Sequence, residues 1–323
     1  MRLRSNIFTV ILLLITISAP AAFGWDDAGH KTTAYIAWQQ MTPETRAAVI
    51  NILLDAPEDS QLATFFANYG SRSLESRQLD FFMTAATWPD IVRDKRFKVR
   101  AEKYHNSSWH YSDTFWKWED GKAVPVTDLA PNGLALQKLK DFSEVIRSSA
   151  ASSADKALAI AWLEHIIGDI HQPLHASGRV TNSSPKGDQG GNRFLLTPKG
   201  TPRAEELNLH WFWDSILMRY EPNTKDVCDS DYLDPIGERI MKMYPYDKMK
   251  GELAADNFSQ WAKESLEISQ QEVYRGVRFF SLPSDGYKKK AFEISEKRLA
   301  LAGYRMAALF NEVFAKPSPA PPK

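Results

Sequence analysis

"SADKALAIAWLEHIIGDIHQPLH" runs from Ser153 to His175. Its middle is largely apolar, it begins at Ser153 or Asp155, and Pro173 stops it, so it reads as a buried helix. Yet Leu163 to His175 holds three histidines and two acids in thirteen residues. A buried helix carries that many ionisable groups either as a polar network that holds a core together or as a metal site. His165 and Asp169 are four apart and share one helical face. His175 lies just past the proline, where the chain can turn back.

The stretch "HWFWD" repeats the spacing with His210 and Asp214. An imidazole and a carboxylate one turn apart can chelate a cation, and a second helix can complete its shell. Upstream, "WDDAGH" supplies His30, "TWPDIVR" supplies Asp90 and Arg93, and "WHYSD" supplies His110 and Asp113. Five of the seven histidines thereby stand at candidate ligand positions. Of the other two, His171 is on another helical face than Asp169 and reads as supporting or structural. Histidine and carboxylate ligands without cysteine suit a catalytic zinc site that keeps a position open for water; manganese and iron accept the same ligands.

The remaining chain sets limits. Its 323 residues are 43% hydrophobic and 25% charged, a globular composition, and forty basic residues balance forty acidic ones. No global charge draws the protein to nucleic acid or to an anionic membrane, so binding of a polyanion requires a local site. Helical patterns recur in "TPETRAAVINILL", "NGLALQKLKDFSEVIR", "NLHWFWDSILMRY", "NFSQWAKESLEISQQEVY" and "AFEISEKRLALAGYRMAALFNEVF". Loops are expected at Glu58–Glu75, Lys95–Lys122 and Gly178–Pro202, with a short hairpin in "GGNRFLLTPKG". The expectation is one all-α, mainly helical domain over residues 25–315, with at most a short β-hairpin. Residues 1–24 read as a secretory signal: Arg2 and Arg4, a short apolar run, then Ala22-Phe23-Gly24 for cleavage. Residues 316–323 form a Pro-rich disordered tail. The mature form is expected without a membrane span, secreted or periplasmic. The single cysteine, Cys228, excludes an internal disulfide and is expected in the core.

In order, "WDDAGH", "TWPDIVR", "WHYSD", "LEHIIGDIHQPLH", "DQGGN" and "NLHWFWD" resemble the zinc-dependent single-strand nucleases of fungi and plants, the nuclease S-one/P-one family, which has bacterial members. The resemblance spans Trp25 to Asp214. It implies a mainly helical fold of the phospholipase C/nuclease type and three Zn2+ ions per chain. One zinc would take Asp90, His110, His165 and Asp169. A neighbour would share Asp169 and add His30 with the amino nitrogen and carbonyl oxygen of Trp25. The third would take His175, His210 and Asp214. An amine held in an amide bond cannot bind metal, so cleavage after Gly24 would complete the set.

The resemblance further implies an endonuclease and 3′-nucleotidase whose substrates are single-stranded DNA, RNA and nucleotides, with 5′-nucleotides as products. The zinc ions would activate the attacking water. Asp113 would orient that water, Arg93 would stabilise phosphoryl charge, and Tyr111 would stack a base. Asp188 and Asn192 would support the site; no protein partner is implied. Asp26 departs from the family's usual glycine, two intervals between ligands are longer than usual, and the paired cysteines of the fungal and plant enzymes are missing, which favours a bacterial source. A zinc-dependent phospholipase C is the alternative, but that group tends to place glutamate where Asp214 stands. A non-catalytic zinc protein is the third reading.

Overall fold

The computed structural model describes residues 25–315 except 68, 69, 226 and 255. The expected signal segment and Pro-rich tail lie outside the described residues. The helices are α1 (Asp27–Gln40), α2 (Pro43–Leu54), α3 (Leu74–Ile91), α4 (Lys98–Tyr104), α5 (Ala135–Arg147), α6 (Ser153–His171), α7 (Leu209–Asp214), α8 (Ile216–Tyr220), α9 (Asp229–Met243), α10 (Tyr246–Met249), α11 (Phe258–Ile268) and α12 (Asp285–Phe314). The strands are β1 (Thr114–Glu119), β2 (Lys122–Pro125) and β3 (Ser177–Arg179). The protein is mainly helical, as its sequence predicts.

Helix starts follow capping chemistry. Asp26, Thr42, Ser73, Ser152 and Ser284 each accept a first-turn N–H through the side chain, and Pro43 stands where a missing N–H costs nothing. Every residue from Ala159 to Gly178 is buried. A helix apolar on all sides must be enclosed on all sides, and α6 is: α1, α2, α3, α5, α11 and α12 pack around it. Its histidines and Asp169 therefore sit at the centre of the molecule, and α1 and α3 bring His30 and Asp90 to them. Among the described residues no helix is long and apolar enough to cross a membrane.

Four expectations need correction. The strands form a three-stranded sheet in the order β2-β1-β3, with β1 antiparallel to β2 and parallel to β3. β1 and the turn that follows it fall inside the expected Lys95–Lys122 loop, which also holds α4, and β2 runs on past its end. Asp120 and Gly121 both take positive φ there, the type of turn that matches the twist of paired strands. The hairpin expected in "GGNRFLLTPKG" does not form; positive φ at Gly190 and Gly191 and the absent N–H of Pro198 interrupt it, leaving one bridge from Leu195 to Asn208. "NLHWFWDSILMRY" is two helices, because Ser215 turns its hydroxyl onto the Trp211 carbonyl, 2.5 Å away, and breaks the run. Cys228 is exposed rather than core, since it caps the start of α9 outside that helix's buried face.

Candidate metal centre

The geometry of the ring nitrogens is the most restrictive. Nδ1 of His165 lies 2.8 Å from the Ala86 carbonyl oxygen, Nδ1 of His175 lies 2.6 Å from that of His110, and Nδ1 of His210 lies 2.7 Å from that of Gly190. A carbonyl oxygen only accepts, so each Nδ1 carries a proton, and in the neutral ring each Nε2 is left as the lone-pair nitrogen. Those lone pairs point at other lone pairs. Nε2 of His165 is 3.2 Å from Oδ2 of Asp169, and Nε2 of His210 is 3.4 Å from Oδ2 of Asp214. Nε2 of His175 is 3.9 Å from Oδ1 of Asp214. Such an arrangement is repulsive unless a proton or a metal cation stands between the atoms.

The other contacts repeat the pattern. Nδ1 of His110 is 2.9 Å from His165 Nε2 and 3.1 Å from Asp169 Oδ2, and His30 Nε2 is 3.3 Å from Asp169 Oδ1. Ligand atoms 2.0–2.1 Å from a tetrahedral zinc ion are about 3.3 Å apart, so these separations suit a shared ion. Three groups qualify as metal-holding clusters: His30 with Asp90 and His165, His110 with His165 and Asp169, and His175 with His210 and Asp214, each with its ligand atoms within 4.8 Å of one another. Both ring nitrogens of His30, Nε2 of His110, and one oxygen each of Asp90, Asp169 and Asp214 are buried without a hydrogen-bond partner. Unpaired buried groups are costly, and six such atoms among the described residues lie on this one set of side chains. The donor set fits divalent transition metals.

Burial shifts the charges. It lowers His30 and His110, and it raises Asp214 well above the usual carboxylate range although the Gln172 amide opposes it. Burial would raise Asp169 too, but the facing His165 and His175 hold it well below that range. Bound cations would draw Asp214 back to its carboxylate form.

Second-layer groups hold the ligands in place. The Gln172 amide donates to Asp214 Oδ1 at 2.5 Å while its oxygen accepts from Leu174 N–H at 2.6 Å. Asp188 accepts from the Arg179 N–H at 3.0 Å and from the Tyr274 hydroxyl at 2.7 Å, which shapes the loop whose Gly190 carbonyl orients His210. A side chain at Gly190 would come within 2.5 Å of the Leu174 carbonyl oxygen, and φ there is +58°. The "DQGGN" stretch therefore works through Asp188 and Gly190; the Asn192 amide donates to Gln189 within its own turn.

Trp25 is fully buried, and Trp25 and His30 both face Gly168 on α6. The Asp26 N–H donates to the Asp214 carbonyl oxygen at 2.9 Å, clamping the start of the described chain onto α7. Asp26 also caps α1, and burial pushes its carboxyl up to about 7. Arg93 lies 3.3 Å from Asp90 Oδ1. Asp113 is buried, and both burial and the charge of Asp188 raise its carboxyl. Tyr111 is half-buried, its hydroxyl 3.4 Å from the Asn132 amide. His171 joins a separate network: its Nε2 accepts from Arg305 at 2.7 Å, and Arg305 and Arg298 both reach Glu264.

Sequence reasoning did not single out Gln172 or Gly190, though both stand inside quoted motifs. The carbonyls of Ala86 and His110 have no side-chain signature at all. Glu164, one of the two acids in the opening stretch, is fully buried with both oxygens unpartnered, and nothing in the structure explains it.

Residues 25–315 match the model of a family described as S1/P1 nuclease. The chain is 26% identical to Nuclease S1 of Aspergillus oryzae, covering 93% of this chain and 95% of that protein. It is 26% identical to Endonuclease 3 of Arabidopsis thaliana, covering 96% of each. It is 21% identical to Nuclease P1 of Penicillium citrinum, covering 90% of this chain and 97% of that protein.

Proposed function

This chain belongs to the S1/P1 nuclease family and is a phosphodiester hydrolase, and we propose that it is an exported, zinc-dependent endonuclease and 3′-nucleotidase that cleaves single-stranded DNA and RNA to 5′-nucleotides. The observation that carries this reading is the convergence of buried imidazole nitrogens and carboxylate oxygens at Asp169 and Asp214. Asp90, His110, His165 and Asp169 would hold one ion, and Trp25, His30 and Asp169 a second. His175, His210 and Asp214 would hold a third. Zinc there would lower the pKa of a water near the scissile phosphorus and neutralise charge on the phosphoryl oxygens.

The chain's own groups do the rest. Asp113 orients the attacking water; burial raises its carboxyl, which favours a proton-exchanging role over a permanently ionised one. The Arg93 guanidinium, already 3.3 Å from Asp90, faces the phosphoryl oxygens as charge builds on them. Tyr111 stacks an unpaired base, which favours single strands. The mature domain is residues 25–315, and export with cleavage after Gly24 frees the Trp25 amine for the second ion.

The test is a metal count on the processed protein, zinc positions from anomalous scattering, and release assays on heat-denatured DNA, duplex DNA and phosphatidylcholine. Three zinc ions at the named residues and faster release from denatured DNA are expected. Release from phosphatidylcholine alone, or a processed protein that takes up no transition metal, would overturn it.

A further inference from the structure

The chain is neutral overall, but its cations are not evenly matched. Segments 177–199 and 269–282 together hold six basic residues and two acids. Both acids are engaged: Asp188 by the Arg179 N–H and the Tyr274 hydroxyl, and Glu272 by Lys290 at 2.5 Å. Among the described residues, Arg179, Arg193, Arg275 and Arg278 form no salt bridge, although the charge of Arg179 is felt by the Asp188 carboxylate. Arg193, Arg275 and Arg278 are exposed, and Arg179 is half-buried.

Arg179 and Arg275 stack on one aromatic cluster, and Arg193 and Arg278 are next in sequence to the Phe194–Phe279 pair that joins the two segments. The Arg179 guanidinium lies over the Tyr274 ring, 5.0 Å from its centre, and the Arg275 guanidinium over Trp118 at 4.8 Å. Trp116 packs edge-on against both rings, at 5.3 Å and 5.5 Å. The two segments are joined where Phe280 N–H donates to the Leu195 carbonyl at 2.8 Å and Phe194 packs on Phe279 at 4.3 Å. Phe279 and Phe280 remain 45% and 41% exposed, so aromatic faces stand among the free guanidinium groups. A stacked guanidinium keeps its edge for hydrogen bonds, and its planar fork matches a phosphate.

The surface is continuous with the metal centre. β3 begins two residues after His175, and Gly190, between Asp188 and Arg193, orients His210. Trp118 stands five residues along β1 from Asp113, about 16 Å in an extended strand. That is several times the axial rise per nucleotide in a stacked strand, about 3.4 Å. A strand cleaved at the centre would have to be several nucleotides long to reach it.

We propose that this arginine–aromatic surface is a second binding site, for the sugar–phosphate chain of a nucleic-acid strand whose scissile phosphate lies at the metal centre. It makes the enzyme prefer long strands to dinucleotides. The proposal rests on the nuclease reading but not on the preference for unpaired strands.

The test is the metal-loaded protein carrying Arg193→Gln, Arg275→Gln and Arg278→Gln together, all at exposed positions, with an unchanged melting curve as the folding control. KM and kcat are measured on a 30-nucleotide single strand, a duplex of the same length and a dinucleotide, over a salt series. Each lost phosphate contact lowers the log–log salt slope by about 0.7, so the slope of KM for the long strand should fall by about two, and KM at 0.1 M salt should rise roughly tenfold or more. Dinucleotide kinetics should not change. Wild-type KM and slope in the variant would overturn the proposal, as would an equal loss on the dinucleotide, which would mean the arginines act through the centre. If the wild-type protein cleaves duplex as well as single strand while the variant still loses affinity for both, the single-strand reading fails and this one stands.

Discussion

Gly168→Ala should remove one metal ion while leaving the fold intact. A methyl group at Gly168 would sit 2.7 Å from Nδ1 and 3.1 Å from Cε1 of His30, with Trp25 Cδ1 at 3.8 Å. Non-bonded atoms settle at about 3.5 Å or more, so the imidazole must retreat by roughly 0.8 Å. Metal–ligand distances tolerate only about 0.2 Å of error. His30 reaches Asp169 at 3.3 Å, and a shift of that size would take it out of range of the ion proposed to lie between them. Stability responds far less. Alanine in a helix is favoured over glycine by about 1 kcal/mol, while overpacking costs about 1–3 kcal/mol, so the metal-free variant should be at most about 2 kcal/mol less stable. Affinity at the His30 position should fall at least 10–100-fold, the scale seen when a ligand loses its support. The assay is metal content by mass spectrometry after dialysis against buffered zinc, beside turnover of denatured DNA and a melting curve of the metal-free form. Gly251→Ala is the control, because a methyl group there meets nothing within 4 Å. The metal ratio should drop by one, with turnover falling in step. A Gly168→Ala protein with full metal content and wild-type turnover would refute the placement of His30 in the centre.

Glu164 is buried with no partner, which costs a protein about 1–3 kcal/mol; Glu164→Leu should therefore raise the melting temperature of the metal-free protein by several degrees, and a lowered one would reveal a partner for this carboxylate. Glu264 should behave oppositely. Burial would raise its carboxyl, but Arg305 and Arg298 hold it below its ordinary value. Its stabilisation is thus present above the unfolded-state pKa and is lost as pH falls through the lower folded-state value. Glu264→Gln should cost about 2–3 kcal/mol at pH 7, toward the low end for a broken buried pair because the site is partly exposed. In denaturant titrations the gap to wild type should narrow below about pH 4; a gap independent of pH would exclude the ion pair as its source.

What could be read from the sequence, and what could not, follows from where each interaction keeps its information. His165 with Asp169 and His210 with Asp214 were legible because a helix turns four residues of spacing into one shared face, and both pairs do lie on helices with their ligand atoms 3.2 and 3.4 Å apart. The orientation of those rings was not legible, since it depends on the carbonyls of Ala86, His110 and Gly190, and a carbonyl looks the same under every side chain. The β1–β2 hairpin was legible and missed: Asp120-Gly121 is a strong turn signal, but few stretches of the chain alternate with period two, so Lys95–Lys122 reads as a loop. Cys228 failed for another reason: residue type sets a preference for burial, and a helix start on the surface overrides it. The arginine surface lies beyond any local pattern. Arg179 and Arg275 are almost a hundred residues apart, and only the packing of Tyr274 and Phe279 against the β3 loop makes them neighbours. A neutral composition averages that surface away, which is why net charge excluded a global attraction to nucleic acid but said nothing of a local one. Convergence of side chains distant in sequence, rather than any motif, decides how far from the scissile bond this enzyme can hold its substrate.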